Sequence, residues 1–283
     1  MPAEIVIDAQ LVKTLREKTN AGLMECKRAL AETGGDLEAA VDVLRKKGAA
    51  SAAKKADREA REGIIAQAIA PGSKVGVIVE VNCETDFVAK NDQFRSFTEE
   101  VARKIAATLN ADLEPDRVAA VQKCGENIQI RRHARVEVTG NGLVAAYIHT
   151  GGKVGVLVEV GADKDATTAS EDFKQLVRDI TLQIAAANPT CIQRSEVTAD
   201  LVARERAIYA DQVPKDKPAP MIEKIIDGKM SKFYSGVCLL EQAFIKNPDQ
   251  TISQLLVEKS KALGDTIVIR RFLRYMVGEA VAA

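Results

Sequence analysis

Gly63-Ile64-Ile65-Ala66-Gln67-Ala68-Ile69 and, after a short gap, Lys74-Val75-Gly76-Val77-Ile78-Val79-Glu80-Val81 return 79 positions later. The second copy reads Gly142-Leu143-Val144-Ala145-Ala146-Tyr147-Ile148 and Lys153-Val154-Gly155-Val156-Leu157-Val158-Glu159-Val160. In each copy an apolar run, a turn (Pro71-Gly72-Ser73 or Thr150-Gly151-Gly152) and a Val-rich run make a β-hairpin. A helix follows, over about 91–109 and 170–187. Phe94, Phe97, Val101 and Ile105 form one apolar stripe, and Phe173, Leu176, Ile180 and Ile184 form the other. The copies part at one place. The first continues Asn82-Cys83-Glu84-Thr85-Asp86-Phe87-Val88, the second Gly161-Ala162-Asp163-Lys164-Asp165-Ala166-Thr167. A Phe present in one copy and missing from the other is not demanded by the shared fold.

Working outward, a helix near Asp116–Lys123 and an alternating strand, Ile128 to Val138, complete the first half. The run Thr266 to Val277 resembles that strand and completes the second. The class is therefore α+β, with each half a three-stranded antiparallel sheet backed by helix. Residues 8–48 predict three short helices, the third capped by Asp36 and ended by Gly48. The Ala-, Lys-, Arg- and Glu-rich stretch 49–62 reads as a solvated helical linker, with a basic contact for an acidic partner as the alternative. Between 189 and 250 two helical stretches, Thr198–Val213 and Pro220–Tyr234, flank Pro214-Lys215-Asp216-Lys217-Pro218 and predict an antiparallel hairpin. Its expected seam is Leu201, Val202 and Ile208 against Met221, Ile222 and Ile225. The expected units are 1–48, the linker 49–62, a first core subdomain 63–140, a second from 141–188 with 251–283, and the arm with its return segment at 189–250.

Lys plus Arg is 40 and Asp plus Glu is 40 in 283 residues, so there is no basic excess of the kind general nucleic-acid binders carry. No apolar run reaches membrane-span length, and the N-terminus has no signal-peptide pattern. Five widely spaced cysteines without a CxxC argue for reduced thiols and a cytoplasmic chain. With two histidines, no phosphate loop and no metal spacing, neither metal nor cofactor is expected. Cys83 as a nucleophile lacks an orienting group and reads better as a small residue ending a buried strand. Arg131-Arg132-His133-Ala134-Arg135 alternates with apolar residues, which predicts charges on an exposed sheet face or edge; RNA contact there is the alternative function.

Binding remains. Phe87 either turns inward to cap the apolar layer or stands exposed on the strand-to-helix corner as an anchor for a partner.

Three segments carry a resemblance: Leu15-Arg16-Glu17-Lys18-Thr19-Asn20-Ala21-Gly22-Leu23-Met24-Glu25-Cys26; Glu80-Val81-Asn82-Cys83-Glu84-Thr85-Asp86-Phe87-Val88-Ala89 with Gly125-Glu126-Asn127-Ile128; and His149-Thr150-Gly151-Gly152-Lys153-Val154-Gly155. The sequence resembles the elongation factor Ts family, the guanine-nucleotide exchange factors of the GTPase elongation factor Tu. The resemblance implies a ubiquitin-associated-like N-terminal domain touching the GTPase through Arg16, Leu23 and Met24. It implies that Thr85, Asp86, Phe87 and Val88 dislodge the partner's magnesium ion, and that His149 and Gly151 of the second copy touch another face. It further implies a projecting helical arm, no catalytic residue, no cofactor, no membrane contact and no direct nucleic-acid contact. The end at Gly278-Glu279-Ala280-Val281-Ala282-Ala283 departs from members with a further C-terminal helix, so that contact is expected to be missing or weak.

Overall fold

The computed structural model describes residues 7–19, 21–214 and 218–280. Position 20 of the first expected turn, 215–217 of the arm turn and the chain end at 281–283 lie outside the described residues. In chain order the elements are α1 (Ala9–Thr19), α2 (Leu23–Glu32), α3 (Leu37–Lys55), β1 (Glu62–Ile69), β2 (Val75–Cys83), α4 (Asp86–Lys90), α5 (Asp92–Ala107), α6 (Glu114–Cys124) and β3 (Gln129–Glu137). Then come β4 (Gly142–Ile148), β5 (Val154–Ala162), α7 (Asp165–Ala169), α8 (Glu171–Ala187), α9 (Ala199–Gln212), α10 (Ala219–Val237), β6 (Ala243–Phe244), β7 (Asn247–Thr251), α11 (Ile252–Leu263) and β8 (Ile267–Met276).

The N-terminal helices close around Leu15, Cys26, Ala29, Leu30, Ala40 and Leu44. Asp36 caps α3 by accepting from the Ala39 amide at 2.9 Å. Helix α3 does not end at Gly48, as the composition suggested. It runs on to Lys55, so the first half of the expected linker continues α3, and Ala52 is 1% exposed within the first sheet's core. Glycine stops a helix only when continuation gains nothing, since its propensity deficit is about 1 kcal/mol. Here continuation seats α3 on α6. A Cβ on Gly48 would lie 2.4 Å from the Gln122 amide nitrogen, so only a glycine allows this approach without moving that side chain.

The two copies fold alike. Strands β1-β2-β3 and β4-β5-β8 form two antiparallel sheets with matching registers. On β2, Val77, Val79, Val81 and Cys83 face α5 and join Phe94, Val101 and Ile105. On β5, Val156, Val158, Val160 and Ala162 join Phe173, Leu176, Ile180 and Ile184 of α8. The opposite faces meet each other: Ile65, Ile78, Val136, Val144 and Leu157 form a third core between the sheets. Both faces of β2 and β5 are thus covered, which is why these strands read as unbroken Val-rich runs rather than alternating ones. The copies also tie each other reciprocally. Lys74 Nζ donates to the Gly142 carbonyl at 3.0 Å, and Lys153 Nζ to the Gly63 carbonyl at 3.1 Å.

The arginines of β3 do not lie on a free sheet face. Glu80 is fully buried and accepts from Arg131 Nη1 at 3.0 Å and Arg132 Nε at 2.6 Å. Neighbours on a strand normally point to opposite faces, but a bulge at Glu80/Val81 brings both onto one carboxylate. Glu159 repeats this with Arg270 and Arg271 at a bulge at Glu159/Val160. Arg135 donates to Glu137 and to the Ala106 carbonyl. β3 is the edge strand of its sheet and Arg131 and His133 are exposed, in keeping with the edge reading, but the arginines are engaged in the fold rather than free on a sheet face.

Helices α9 and α10 pack on each other through Val213, Ile226 and Met230, with Val202, Tyr209, Ile222, Ile225 and Phe233 half-buried beside them. Leu201, Ile208 and Met221, expected in that seam, are exposed. Beyond α10, the β6–β7 hairpin and α11 lead back to the second sheet. None of these three elements was expected, although Thr251 and Gln254 form a capping box that marks the start of α11.

Candidate functional site

The tip begins where β2 runs out of partners. Thr85 is the N-cap of α4 and accepts from the Val88 amide at 3.4 Å. One turn of helix follows, with its inner side formed by Val88 and Ala89 on the first sheet's core. Asp86 and Phe87 occupy the outer side. Phe87 is 81% exposed, so of its two sequence readings the structure selects the outward one. Asp86 pairs with Lys90 at 2.7 Å, and that hydrogen bond holds its carboxyl below the usual carboxylate range.

A five-residue helix does not hold itself. Glu126, between α6 and β3, fastens this one. Its Oε2 accepts from the Glu84 and Thr85 amides, both at 3.0 Å, and its Oε1 accepts from the Thr85 hydroxyl at 2.6 Å. Glu84 in turn accepts from the Asn127 amide at 2.6 Å. The Asn127 side chain, itself buried, donates to the Ala56 and Arg58 carbonyls at 3.2 and 2.7 Å, just beyond α3. In the sequence, Glu126 and Asn127 carry no motif that assigns them this role. The available signal was the equivalent Asp265, which accepts from the Asp163 and Lys164 amides at 3.2 and 3.0 Å.

The second copy supplies an internal control. Helix α7 occupies the place of α4, with buried Thr167 and Thr168 in place of Val88 and Ala89, and with exposed Ala166 in place of Phe87. The same one-turn helix forms without the aromatic ring.

The other expected site residues sit on separate elements. Arg16 on α1 is exposed, and Leu23 and Met24, at the start of α2, are 54% and 64% exposed. His149 and Gly151 lie in the β4–β5 turn, closed by the Gly152 amide donating to the His149 carbonyl at 2.9 Å. Gly151 has φ +88°, a left-handed conformation that suits glycine. The His149 Nδ1 is 3.1 Å from the Tyr147 hydroxyl. Among the described residues, no hydrogen bond or ion pair joins one of these groups to another.

Cys83 is fully buried and its thiol donates to the Thr85 carbonyl at 3.2 Å. Burial, with Glu126 nearby, pushes it up to about 12, the opposite of what a nucleophile needs. Among the described residues, no group of three His, Cys, Asp or Glu side chains is placed to hold a metal, and no helix is long and apolar enough to cross a membrane.

The family model for elongation factor Ts matches residues 84–279, from the residue before the Thr85 cap to the loop after β8. The chain is 42% identical to elongation factor Ts of Trichlorobacter lovleyi, over 98% of this chain and 94% of that one. It is 43% identical to that of Clostridium botulinum, over 98% and 94%, and 44% identical to that of Chloroherpeton thalassium, over 96% and 99%. The chain belongs to the elongation factor Ts family. It is a translation elongation factor that exchanges nucleotide on elongation factor Tu and is not a catalyst of covalent chemistry. Elongation factor Ts needs surfaces rather than an active-site cleft. Leu23 and Met24 on α2 and Phe87 at the tip are exposed apolar side chains.

Proposed function

We propose that this protein works in the cytoplasm and releases GDP by carrying Asp86 and Phe87 to the magnesium site of elongation factor Tu. Arg16, Leu23 and Met24 dock on the GTPase domain, and His149 with Gly151 touches a further face. The observation that carries this reading is the outward Phe87 on a tip whose structural twin bears Ala166. Exposing a phenylalanine to water has no benefit for the free protein. Burying it in a partner is worth about 1.5–3 kcal/mol, enough for a hot spot.

Exchange then follows from linkage. Magnesium demands near-octahedral oxygen ligands, and the phosphates rely on backbone amides. A partner that prefers the metal-free, distorted site weakens nucleotide, and nucleotide weakens the partner by the same factor. Each tenfold of coupling takes about 1.4 kcal/mol of differential contact. Incoming GTP therefore ejects the factor.

Stopped-flow release of fluorescent GDP across a magnesium series tests the reading. Phe87→Ala and Asp86→Ala should slow release about ten- to a hundredfold at high magnesium, the range that about 1.5–3 kcal/mol of lost contact gives. With chelator the metal-free state is populated without the tip, and both variants should approach the unaltered chain. Phe87→Ala should leave stability within about 0.5 kcal/mol, as for other surface changes. Equal defects at every magnesium level would rule out a metal-directed role for the tip.

A further inference from the structure

We infer that Glu126 is a positioning residue for exchange: its carboxylate aims the Phe87 tip through the Thr85 hydroxyl. This rests on the tip reading above and adds what holds the tip in its working direction.

The argument starts from what the two copies share and what they do not. Both anchor the residues entering the one-turn helix with a carboxylate that accepts two consecutive backbone amides, Glu126 in the first copy and Asp265 in the second. That part serves the fold, because the second copy has it without a Phe. Two things belong to the first copy alone. One is Phe87. The other is that the hydroxyl bonded to the anchor stands at the N-cap itself, Thr85 to Glu126 Oε1 at 2.6 Å, whereas the hydroxyl partner of Asp265 is Thr167, inside α7. The second copy has Lys164 where Thr85 stands, and its side chain turns instead to the Gly264 carbonyl at 2.6 Å. Glu126 gives one oxygen to the N-cap hydroxyl and the other to both amides, whereas Asp265 divides the two amides between its oxygens. The N-cap bond and the exposed ring therefore occur together, two residues apart.

The consequence is directional. Thr85 Oγ both donates to Glu126 and accepts from the Val88 amide, so it links the anchor to the first turn of α4. Only Ala89 of α4 is fully buried, so packing alone constrains the helix axis weakly. An oxygen that fixes the N-cap fixes the direction in which Phe87 leaves. A contact made only in the metal-free complex is sensitive to misplacement of this kind.

The test is a cycle in the full chain. Glu126→Asp recreates the second copy's anchor: the two amides keep their acceptor and the hydroxyl loses its own. Because Asp265 supports such a tip, the variant is expected to fold with an unaltered melting temperature. GDP release at high magnesium should slow about tenfold, equivalent to about 1.4 kcal/mol. In a Phe87→Ala background the same substitution should change release by less than about twofold, because nothing remains to be aimed. Thr85→Val should reproduce Glu126→Asp, and Thr85→Ser should restore release. Equal slowing by Glu126→Asp in both backgrounds would overturn the proposal and make Glu126 a fold residue. Unaltered release in Glu126→Asp and Thr85→Val, with Phe87→Ala slow, would overturn it while leaving the tip reading intact. Unaltered release in Phe87→Ala would sink the tip reading, and this inference with it.

Discussion

Phe87 and Cys83 lie four positions apart and obey opposite rules. Cys83 ends a strand buried on both sides, where the ionised form of a thiol is disfavoured. Phe87 sits past that strand on a turn of helix that offers it no pocket. The Cys83 environment has a measurable consequence. An ordinary thiol here titrates near 9.0, and burial moves the folded group to about 12. Above pH 9 the unfolded chain therefore gives up a proton that the folded chain keeps. Stability from this group is complete below pH 9 and falls as pH rises toward about 12. The slope contributed is at most about 1.4 kcal/mol per pH unit. Cys83→Ala should flatten the fall by that amount in urea unfolding at pH 8.5, 9.5 and 10.5, allowing for a constant offset from the lost sulfur. The same slope in both proteins would mean that the thiol is not sealed.

At the scale of elements, the glycines inside the repeated Lys-Val-Gly-Val runs set how closely the two sheets meet. A Cβ on Gly76 would lie 2.4 Å from Val144 Cγ1, and one on Gly155 would lie 2.5 Å from Ile65 Cγ2. Both neighbours belong to the core between the sheets. Gly76→Ala and Gly155→Ala should each destabilise by about 1–3 kcal/mol, the usual penalty for overpacking. Thermal melts check this, and a neutral change at either site would mean that the sheets can part. The hairpins, the helices after them and the late third strand were legible because each carries a long periodic signal. The sheet-on-sheet core was not, since a Val-rich run shows burial without naming what covers it. The pairing of each arginine doublet with one carboxylate was not legible, because a bulge, invisible in the alternation, turns two neighbours to one face. Helices α4 and α7 are too short for periodicity, so Phe87 was found as a difference between copies and not as a position on a helix. In the arm, the seam chosen from sequence included Leu201, Ile208 and Met221, which are exposed. Once the α10 row through Ile222, Ile226, Met230 and Phe233 is in contact, those three fall outside it.

At the scale of the molecule, the proposed contact surfaces are spread over elements that the fold ties together. The two sheets brace each other crosswise. The Gly278 amide, after β8, donates to Glu80 at 3.0 Å, and the Thr139 amide, after β3, donates to Glu159 at 3.1 Å. Asn127 joins the anchor of the tip to the backbone leaving α3, and Ala52 seats the last turns of α3 in the first sheet's core. A factor built this way presents the α2 surface and the Phe87 tip already spaced, so the second contact forms without a fresh loss of translational freedom. Removing residues 1–48 separates the two contributions. That cut leaves Ala49–Lys55 on α6 and the cores of both sheets complete, so the remainder should fold. It takes away Arg16, Leu23 and Met24. Losing even one buried anchor, at about 1.5–3 kcal/mol, weakens binding to elongation factor Tu–GDP by about tenfold or more. The tip is untouched, so release at saturating factor should stay within about threefold of the full chain, while the concentration needed to reach it rises. A titration of release rate against factor concentration separates these terms. If the truncated chain saturates at the same concentration as the full one, the N-terminal helices do not dock. If it saturates at a far lower rate, they act on the nucleotide site itself and not only as a tether.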